Sequence, residues 1–332
     1  MRAMKFALAS LCAIAFVGTA NAEPIKIRNS WVAPVTNWAS ILLEKKELAK
    51  HMGQSYVMEP VRFAGTPPMI TALANNELEI SNLAYSTLGI AIENAGLSDL
   101  RIVADEFQDG VSGFYSQEYM VLKDSAIQKV EDLKGKVVAT NAAGSAVDVA
   151  MKAMLHKHGL EPNRDYTVIE APFPAMKAML AEHKVDIIPA VVPFSYDPEL
   201  RNMARDLFVQ KDAIGITDMI VWTARKPFID KNRAALVDFF EDTLIITRWY
   251  LDSKNHADAM EIAGRVTKRP PQAFDWLFTN RDCYHDPDML PNLAALQKNV
   301  DLTQELGFVK GKVDVKAYAD LSMIQEAAKR LK

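Results

Sequence analysis

The chain contains an internal repeat at a constant spacing of 107 residues. Residues 61–80 read VRFAGTPPMITALANNELEI, and residues 168–187 read VIEAPFPAMKAMLAEHKVDI. Identical residues occupy seven aligned positions, including Pro67 and Pro174. Each copy has the pattern of a strand end, a helix opened by proline, and a second apolar strand. Unless the match is a chance similarity of two helices, it predicts two α/β lobes that face each other across a cleft.

The amino end has the pattern of a cleaved signal peptide, residues 1–22. Arg2 and Lys5 precede an apolar run at residues 6–17, and Ala-Asn-Ala at residues 20–22 is a small-x-small cleavage site. The apolar run is short for a membrane-spanning helix. We therefore expect export to the periplasm as a free soluble protein, with a retained anchor as the alternative.

Removal of this segment sets the charge and the cysteine content of the mature chain. The basic count falls from 38 to 36 without Arg2 and Lys5, and 42 acidic residues leave a net charge near −6. This balance argues against nucleic acid or an anionic membrane as the main partner. Cys12 also leaves, so Cys283 remains alone and an internal disulfide is excluded.

Apolar and polar segments alternate in two series along the mature chain. The first series predicts strands at residues 25–28, 56–63, 78–82 and 101–105. Between the first two of these strands we expect a helix that ends near Met52. After an interruption with two glycines at residues 109–113, the second series predicts strands at residues 119–122, 137–140, 167–169 and 186–192. Strands that alternate with helices indicate a mainly parallel sheet in each lobe.

The chain is expected to cross between the lobes twice, the second time at residues 215–222. From Asn232 onward it is mostly helical, and these helices are expected to pack on the first lobe. We assign residues 23–112 and 222–332 to lobe I and residues 113–221 to lobe II. Two crossings form a hinge, which allows a cleft to close on a ligand.

Three segments resemble a known family. They read GTPPMITALANNELEISNL, VEDLKGKVVATNAAGSAVDVAMKAMLHKHGL and AMLAEHKVDIIPAVV. The chain resembles solute-binding proteins of the nitrate/sulfonate/taurine class that feed ABC importers, within the thiamine-pyrimidine-synthase-like superfamily. The most specific part is residues 132–136, followed by a strand and the Gly144-Ser145 helix start. The resemblance implies a type II periplasmic-binding-protein fold, a ligand between the lobes, and an ABC permease in the inner membrane as partner.

Ligand contacts are expected where strands lead into helices, because ligands bind beyond the carboxyl ends of parallel strands. Helix starts there also offer unpaired N–H groups to an anion. Ser145 is the first candidate, with a plain helix cap as its alternative role. Aromatic residues near these loops favour a ligand with a ring or an apolar body. The predicted ligand-binding residues are Trp31, Asn37, Trp38, Gly65, Thr66, Ser86, Phe114, Gly144, Ser145, Ala146 and Phe194.

The ligand is expected to be a small organic anion, either a sulfonate or an aromatic or aliphatic carboxylate. Nitrate and thiamine precursors are alternatives within the family, and whether Arg28 or Arg62 reaches the ligand is left open. We expect a monomer without cofactor or metal. A sensor's ligand-binding partner would use the same fold and is not separated by sequence.

An enzyme on the same fold, desulfinase- or pyrimidine-synthase-like, is the alternative from another class. Cys283-Tyr284-His285-Asp286, with Asp288, has residue types suited to a nucleophile or a metal site. We expect this segment to lie away from the cleft loops, and therefore predict no catalytic residue.

Overall fold

The computed structural model describes residues 23–332, so the predicted signal peptide lies outside the described residues. Within this range no helix is long and apolar enough to cross a membrane. The described chain forms two mixed sheets with helices on both faces.

The first sheet has the strand order β2–β1–β3–β10–β4. Strands β1 and β2 are parallel, and a parallel bridge from Asn29 to Ile80 joins β1 to the start of β3. Strand β10 runs antiparallel to both β3 and β4, so four of the five strands share one direction. These strands are β1 (Ile25–Trp31), β2 (Tyr56–Arg62), β3 (Ser81–Ala84), β4 (Leu100–Asp109) and β10 (Thr217–Arg225).

The second sheet repeats this arrangement in the order β7–β6–β8–β5–β9. Strands β6 and β7 are parallel, the bridge from Val138 to Ile187 links β6 to β8, and β5 is the antiparallel strand. The two-lobed fold with mainly parallel sheets is thus confirmed. These strands are β5 (Glu118–Leu122), β6 (Val137–Thr140), β7 (Thr167–Glu170), β8 (Ile188–Ala190) and β9 (Ala204–Val209).

The repeat in the sequence corresponds to the same unit in both sheets. Its first copy covers the end of β2, helix α1 (Pro67–Ala74) and the approach to β3, and its second covers β7, helix α4 (Phe173–Ala181) and the approach to β8. Three of the repeated apolar positions are buried in both lobes: Met69 and Met176, Leu73 and Leu180, and Ile80 and Ile187. The repeat therefore encodes the core-facing side of equivalent helices.

Helices cover both sheets. In lobe I, the 26-residue α7 packs its buried Phe239 edge-on against Tyr56 of β2, with ring centroids 5.2 Å apart. Helix α10 packs on α7, and α9 packs on α2 and β10. Besides α1 and α4, the α-helices of the described chain are α2 (Tyr85–Glu93), α3 (Ala146–Lys157), α5 (Pro198–Met203), α6 (Gln210–Ile214), α7 (Lys226–Leu251), α8 (His256–Thr267), α9 (Leu293–Glu305) and α10 (Ser322–Arg330).

The two connections between the lobes touch each other. One joins β4 to β5, and the other joins β9 to β10 through α6. Gly110 in the first has a φ of 73°, and an added Cβ atom would lie 3.1 Å from the Gly215 carbonyl oxygen in the second. Gly110 therefore meets two demands, a left-handed conformation and a close backbone contact. Strand β10 pairs with β3 and β4, and its pairing begins at Thr217, so the whole strand belongs to the first sheet.

We expected one continuous helix between β1 and β2, and this expectation is wrong. Two short 3₁₀ helices, Trp38–Ser40 and Leu42–Leu48, replace it. The cause is a long-range anchor: the buried Glu106 carboxylate on β4 accepts hydrogen bonds from the Trp38 N–H at 2.8 Å and from Asn37 Nδ2 at 2.7 Å. These bonds hold the start of the segment, and Lys45, with φ −118° and ψ 31°, departs from helical geometry further along it. Strand β9 and helix α5 were not expected.

Candidate ligand-binding site

A cavity of about 70 Å³ lies between the two sheets, at the ends of their strands. We call it the inner cavity. Lobe I lines it with Val32, Asn37 and Thr66, among others, and lobe II with Asn141, Ser145 and Val191. The cavity is therefore shared by the loops that the sequence places at the strand ends.

Direct hydrogen bonds between the lobes hold the cleft closed. Asn141 Nδ2 donates to the Ala64 carbonyl oxygen at 3.1 Å. Thr36 Oγ1 donates to the Val192 carbonyl oxygen at 3.1 Å. In addition, the Tyr85 hydroxyl donates to the Ala146 carbonyl oxygen at 2.8 Å.

Four of the predicted contact residues line the inner cavity. They are Asn37, Thr66, Ser145 and Ala146. These residues belong to three loops that are up to 109 positions apart in the sequence, from Asn37 to Ala146. Sheet formation brings the loops together, because the strand ends that carry them meet at one edge of each sheet. Contact between these residues and a ligand remains a prediction.

The other predicted residues lie outside the inner cavity. Trp38 is buried behind it, stacked on Phe278 with ring centroids 5.2 Å apart. Ser86 is fully buried in α2, and Phe114 lies on the outer surface, edge-on to Tyr284. Trp38 and Ser86 are thus packed within the protein, Phe114 is exposed, and none of the three lines the inner cavity.

Two predicted glycines lie where the lobes touch. A Cβ atom added to Gly65 would lie 2.8 Å from Asn141 Nδ2 and 3.1 Å from Ala142 Cβ. One added to Gly144 would lie 3.3 Å from Ile90 Cδ1. Their part in the site is therefore to let the lobes approach.

Ser145 is the N-cap of α3, and its hydroxyl is already engaged. It donates to Asn141 Oδ1 at 2.7 Å and accepts from the Asp148 N–H at 3.4 Å. The Asp148 carboxylate accepts from the Gly144 N–H at 2.8 Å and pairs with Lys152 at 2.7 Å. The first N–H groups of a helix have no partner within it, so those of Ala146 and Val147 remain for a ligand.

The start of α1 differs, because Pro67 and Pro68 occupy its first two positions and carry no N–H. The Thr66 hydroxyl before them is buried and has no hydrogen-bond partner among the described residues. This loop can therefore offer a hydroxyl to a ligand, but fewer backbone donors than α3.

The charged types of side chain in and next to the lining of the inner cavity are acidic rather than basic. Asp109 lines it and accepts from the Gln117 N–H and from Ser116 Oγ, both at 2.7 Å. Burial raises the pKa of Asp109 to about 6 and that of Glu106, behind the loop, to about 7. Among residues 23–332, no Lys, Arg or His lines this cavity.

The expected position of Cys283 is wrong, because this residue lines the inner cavity. The chain returns to the hinge here: the backbones of Tyr284 and Gln108 exchange hydrogen bonds of 3.1 and 2.8 Å. Burial, followed by the charge of Asp282, raises the pKa of the Cys283 thiol well above its usual range. Burial lowers the pKa of His285 to about 4. Both groups are therefore neutral at neutral pH, whereas a cysteine nucleophile requires a thiolate.

A second pocket of about 340 Å³ adjoins the inner cavity and shares Val32 and Phe173 with it. We call it the outer pocket. Its lining also includes Arg62 and the predicted residue Phe194. The last predicted residue, Trp31, lies beneath the Arg62 guanidinium, which is 5.2 Å from its ring centroid. Arg28, in contrast, is engaged by Glu79 at 2.6 Å.

His51, Asp238 and Glu241 are close enough together to share a metal ion, but they lie outside both pockets. Their carboxylates already have cationic partners. Lys50 pairs with Glu241 at 2.5 Å, and Arg330 pairs with Asp238 at 2.8 Å. We therefore interpret the cluster as a salt-bridge network that links α7 and α10.

The two-lobed architecture with an interlobe cavity is that of periplasmic binding proteins, and solved structures of this class match it. The alkanesulfonate-binding protein SsuA from Xanthomonas axonopodis pv. citri, bound to MOPS, matches with a TM-score of 0.70 at 19% identity, over 90% of this chain and 99% of that chain. The nitrate-binding protein NrtA from Synechocystis PCC 6803 matches with a TM-score of 0.71 at 14% identity, over 93% and 90%.

The same fold occurs in an enzyme. The desulfurization enzyme DSZB matches with a TM-score of 0.66 at 14% identity, over 93% of this chain and 100% of that chain. At such identities the shared property is the fold. The model of the NMT1-like family matches residues 20–264, and the chain therefore belongs to the NMT1-like family. A comparison with curated proteins gave no match.

Proposed function

We propose that this protein is the periplasmic substrate-binding component of an ABC importer. It captures a small organic anion, a sulfonate or a carboxylate, between its lobes and delivers it to a permease in the inner membrane. It acts as a monomer, after removal of residues 1–22. The observation that carries the proposal is the cavity enclosed by both lobes and held closed by hydrogen bonds across the cleft.

Capture depends on differential affinity for the closed state. A ligand that contacts Thr66 in lobe I and the Ala146 and Val147 N–H groups in lobe II gains both sets of contacts only when the lobes meet. Closure then follows from binding, because a ligand can shift an equilibrium only by its difference in affinity for the two states. The closed form is the one that the permease must recognise.

Thermal unfolding of the mature chain with a ligand panel tests this function. The panel contains nitrate, alkanesulfonates, benzenesulfonate and aliphatic and aromatic carboxylates, with neutral sugars and cations as comparison. A true ligand at a hundredfold excess over its dissociation constant should add about 2.7 kcal/mol to the free energy of unfolding. Stabilisation by sugars or cations alone would contradict the anion assignment.

An enzyme remains the second candidate, because Cys283 lines the inner cavity and DSZB shares the fold. The test is turnover of any ligand found, by the natural chain and by Cys283→Ser. If the natural chain turns the ligand over and the variant does not, the protein is an enzyme and the importer proposal is wrong. Binding without turnover in both proteins supports the importer.

A further inference from the structure

The outer pocket is lined by both lobes, and its lining is apolar except for Arg62 and includes three phenylalanines. Lobe I contributes Phe63, and lobe II contributes Phe173 and Phe194, whose rings are stacked with centroids 6.2 Å apart and planes at 24°. These three side chains are only partly buried, so their faces are open to the pocket. Such a surface suits a flat or alkyl group.

Arg62 is the basic side chain of this pocket. It is exposed, and its contact with Trp31 holds the guanidinium over the indole face. Among the described residues it forms no ion pair within 4.0 Å, whereas Arg28 on the neighbouring strand is paired with Glu79. Arg62 thus has all its N–H donors available for an anionic group, in a geometry that favours two parallel hydrogen bonds.

The inner cavity has the opposite character. It contains the carboxyl group of Asp109 and no basic side chain from the described residues. An anionic group placed there would lie near the Asp109 carboxyl group, and only the Ala146 and Val147 N–H groups, with no cationic side chain among the described residues, would replace its hydration. The inner cavity is also small, at about 70 Å³, against roughly 300–1,000 Å³ for typical ligand sites.

We infer that the ligand spans both pockets, with a small neutral end in the inner cavity and its anionic group at the cleft mouth, bound by Arg62. The apolar middle of the ligand lies between Val32 and Phe173, which line both pockets. The ligand class is therefore an elongated monoanion, an aryl or alkyl carboxylate or sulfonate, with its charge at one end only. The inference rests on the proposed function and assigns the orientation of the ligand within it.

This orientation makes Arg62 a specificity-determining residue. A neutral analogue fills the same space but leaves the guanidinium without a partner, so the site prefers the anion to its amide. A doubly charged ligand with an anionic group at each end would have to place one of them beside Asp109. It should bind more weakly than the corresponding monoanion.

The test compares matched probes in the mature protein by calorimetry. Benzoate and benzamide differ in charge but hardly in shape, as do hexanoate and hexanamide, while adipate adds a second carboxylate to the six-carbon chain. The variant is Arg62→Gln. The control is Arg101→Gln, because Arg101 also lies near an aromatic ring, that of Tyr318 at 5.8 Å, but at the amino end of β4, away from the cleft.

For the natural chain and for Arg101→Gln we expect the monoanion to bind at least about tenfold more tightly than its amide, and hexanoate more tightly than adipate. A hydrogen bond to a charged group is worth about that much. In Arg62→Gln the preference for the monoanion over the amide should disappear. A preference unchanged in Arg62→Gln, or adipate as the tighter ligand, would overturn the orientation while leaving the importer intact.

Failure of the proposed function has a different signature. It would appear as no stabilisation of the natural chain by any organic anion of the wider panel, whatever its length. Arg62→Gln should unfold at the same temperature as the natural chain without ligand, because its side chain is exposed and has no carboxylate partner. A lower unfolding temperature would show that Arg62 is structural and would also contradict the inference.

Discussion

The side-chain amide of Asn141 reaches across the cleft to the backbone of Ala64, at 3.1 Å. The next residue, Gly65, leaves just enough space for it, since a Cβ atom there would lie 2.8 Å from Asn141 Nδ2. A contact of that length is repulsive, so a side chain at this position would push the Asn141 amide away from Ala64 and crowd Ala142, whose Cβ atom would lie 3.1 Å away.

We therefore predict that Gly65→Ala lowers ligand affinity about tenfold or more by impeding closure. The free energy of unfolding should change little, because Gly65 does not have a positive φ. Calorimetry with the best ligand, together with small-angle scattering, measures affinity and closure. Gly89→Ala is the control, since its Cβ atom would meet Thr303 at an ordinary 3.4 Å. Full closure of Gly65→Ala with ligand would contradict the prediction.

Two buried tyrosines allow the effect of a hydrogen bond on closure of the cleft to be distinguished from its effect on folding stability. The Tyr85 hydroxyl bonds across the cleft to Ala146 at 2.8 Å, whereas the Tyr119 hydroxyl bonds within lobe II to Val147 at 3.0 Å. We expect Tyr85→Phe to weaken ligand binding by about 0.5–1.5 kcal/mol, the usual worth of a hydrogen bond. Tyr119→Phe should instead reduce the free energy of unfolding by a similar amount and leave ligand affinity unchanged.

Calorimetry and denaturant unfolding of both variants provide the readout. The same loss of affinity in the two proteins would mean that the Tyr85 bond has no special part in closure. Equal loss of stability with unaltered binding would lead to the same conclusion.

The pair Asp105 and Asp218 predicts how stability depends on pH. These fully buried carboxyl groups lie on the paired strands β4 and β10, close enough to influence each other's protonation. Burial, and then the neighbouring charge of Asp218, raises the pKa of Asp105 well above its usual range, and burial raises the pKa of Asp218 to about 7. The folded protein thus retains protons that the unfolded chain releases near pH 4.

It follows that the free energy of unfolding should fall as the pH rises from about 4 through 7, by about 1.4 kcal/mol per pH unit for each proton retained. Asp105→Asn should make this slope shallower, while the exposed Asp124→Asn should not. Urea unfolding between pH 5 and pH 8 measures the slope. Glu106 and Asp109 act in the same direction, so a residual slope is expected. An unchanged slope in Asp105→Asn would contradict the prediction.

Cys283 should be unreactive in the folded protein. The residue is 5% exposed and the pKa of its thiol is raised well above the usual range, so the thiolate is scarce at pH 7.5. Iodoacetamide labelling, followed by mass spectrometry, should be slow in buffer and complete in urea. Rapid labelling of the folded protein would indicate an activated thiol and would favour the enzyme.

The sequence predicted the architecture because the relevant signals are local. Proline at the start of α1 and α4, and apolar residues on the faces of these helices, determine a unit that does not depend on distant contacts. The same logic located Thr66 and Ser145 at the cleft, because strand ends in a parallel sheet lie at one edge.

The wrong expectations, in contrast, concern residues whose positions depend on contacts between distant parts of the chain. Trp38 and Cys283 are placed by residues far away in the chain: Glu106 anchors the loop of Trp38, and Gln108 pairs with the backbone beside Cys283. No short pattern encodes such pairs. The sequence also left open whether Arg62 reaches the ligand, because the role proposed for it depends on the lack of basic side chains among the described residues that line the inner cavity.

The contact between Gly110 and Gly215 has a practical consequence. Since the two connections touch, we expect the lobes to open by a rotation about an axis near these glycines. A donor dye on α1 and an acceptor dye on α4, helices that begin on opposite sides of the opening, would then report that rotation as one distance. The scaffold is thus suited to an optical sensor whose signal is read without labelling the residues that hold the analyte.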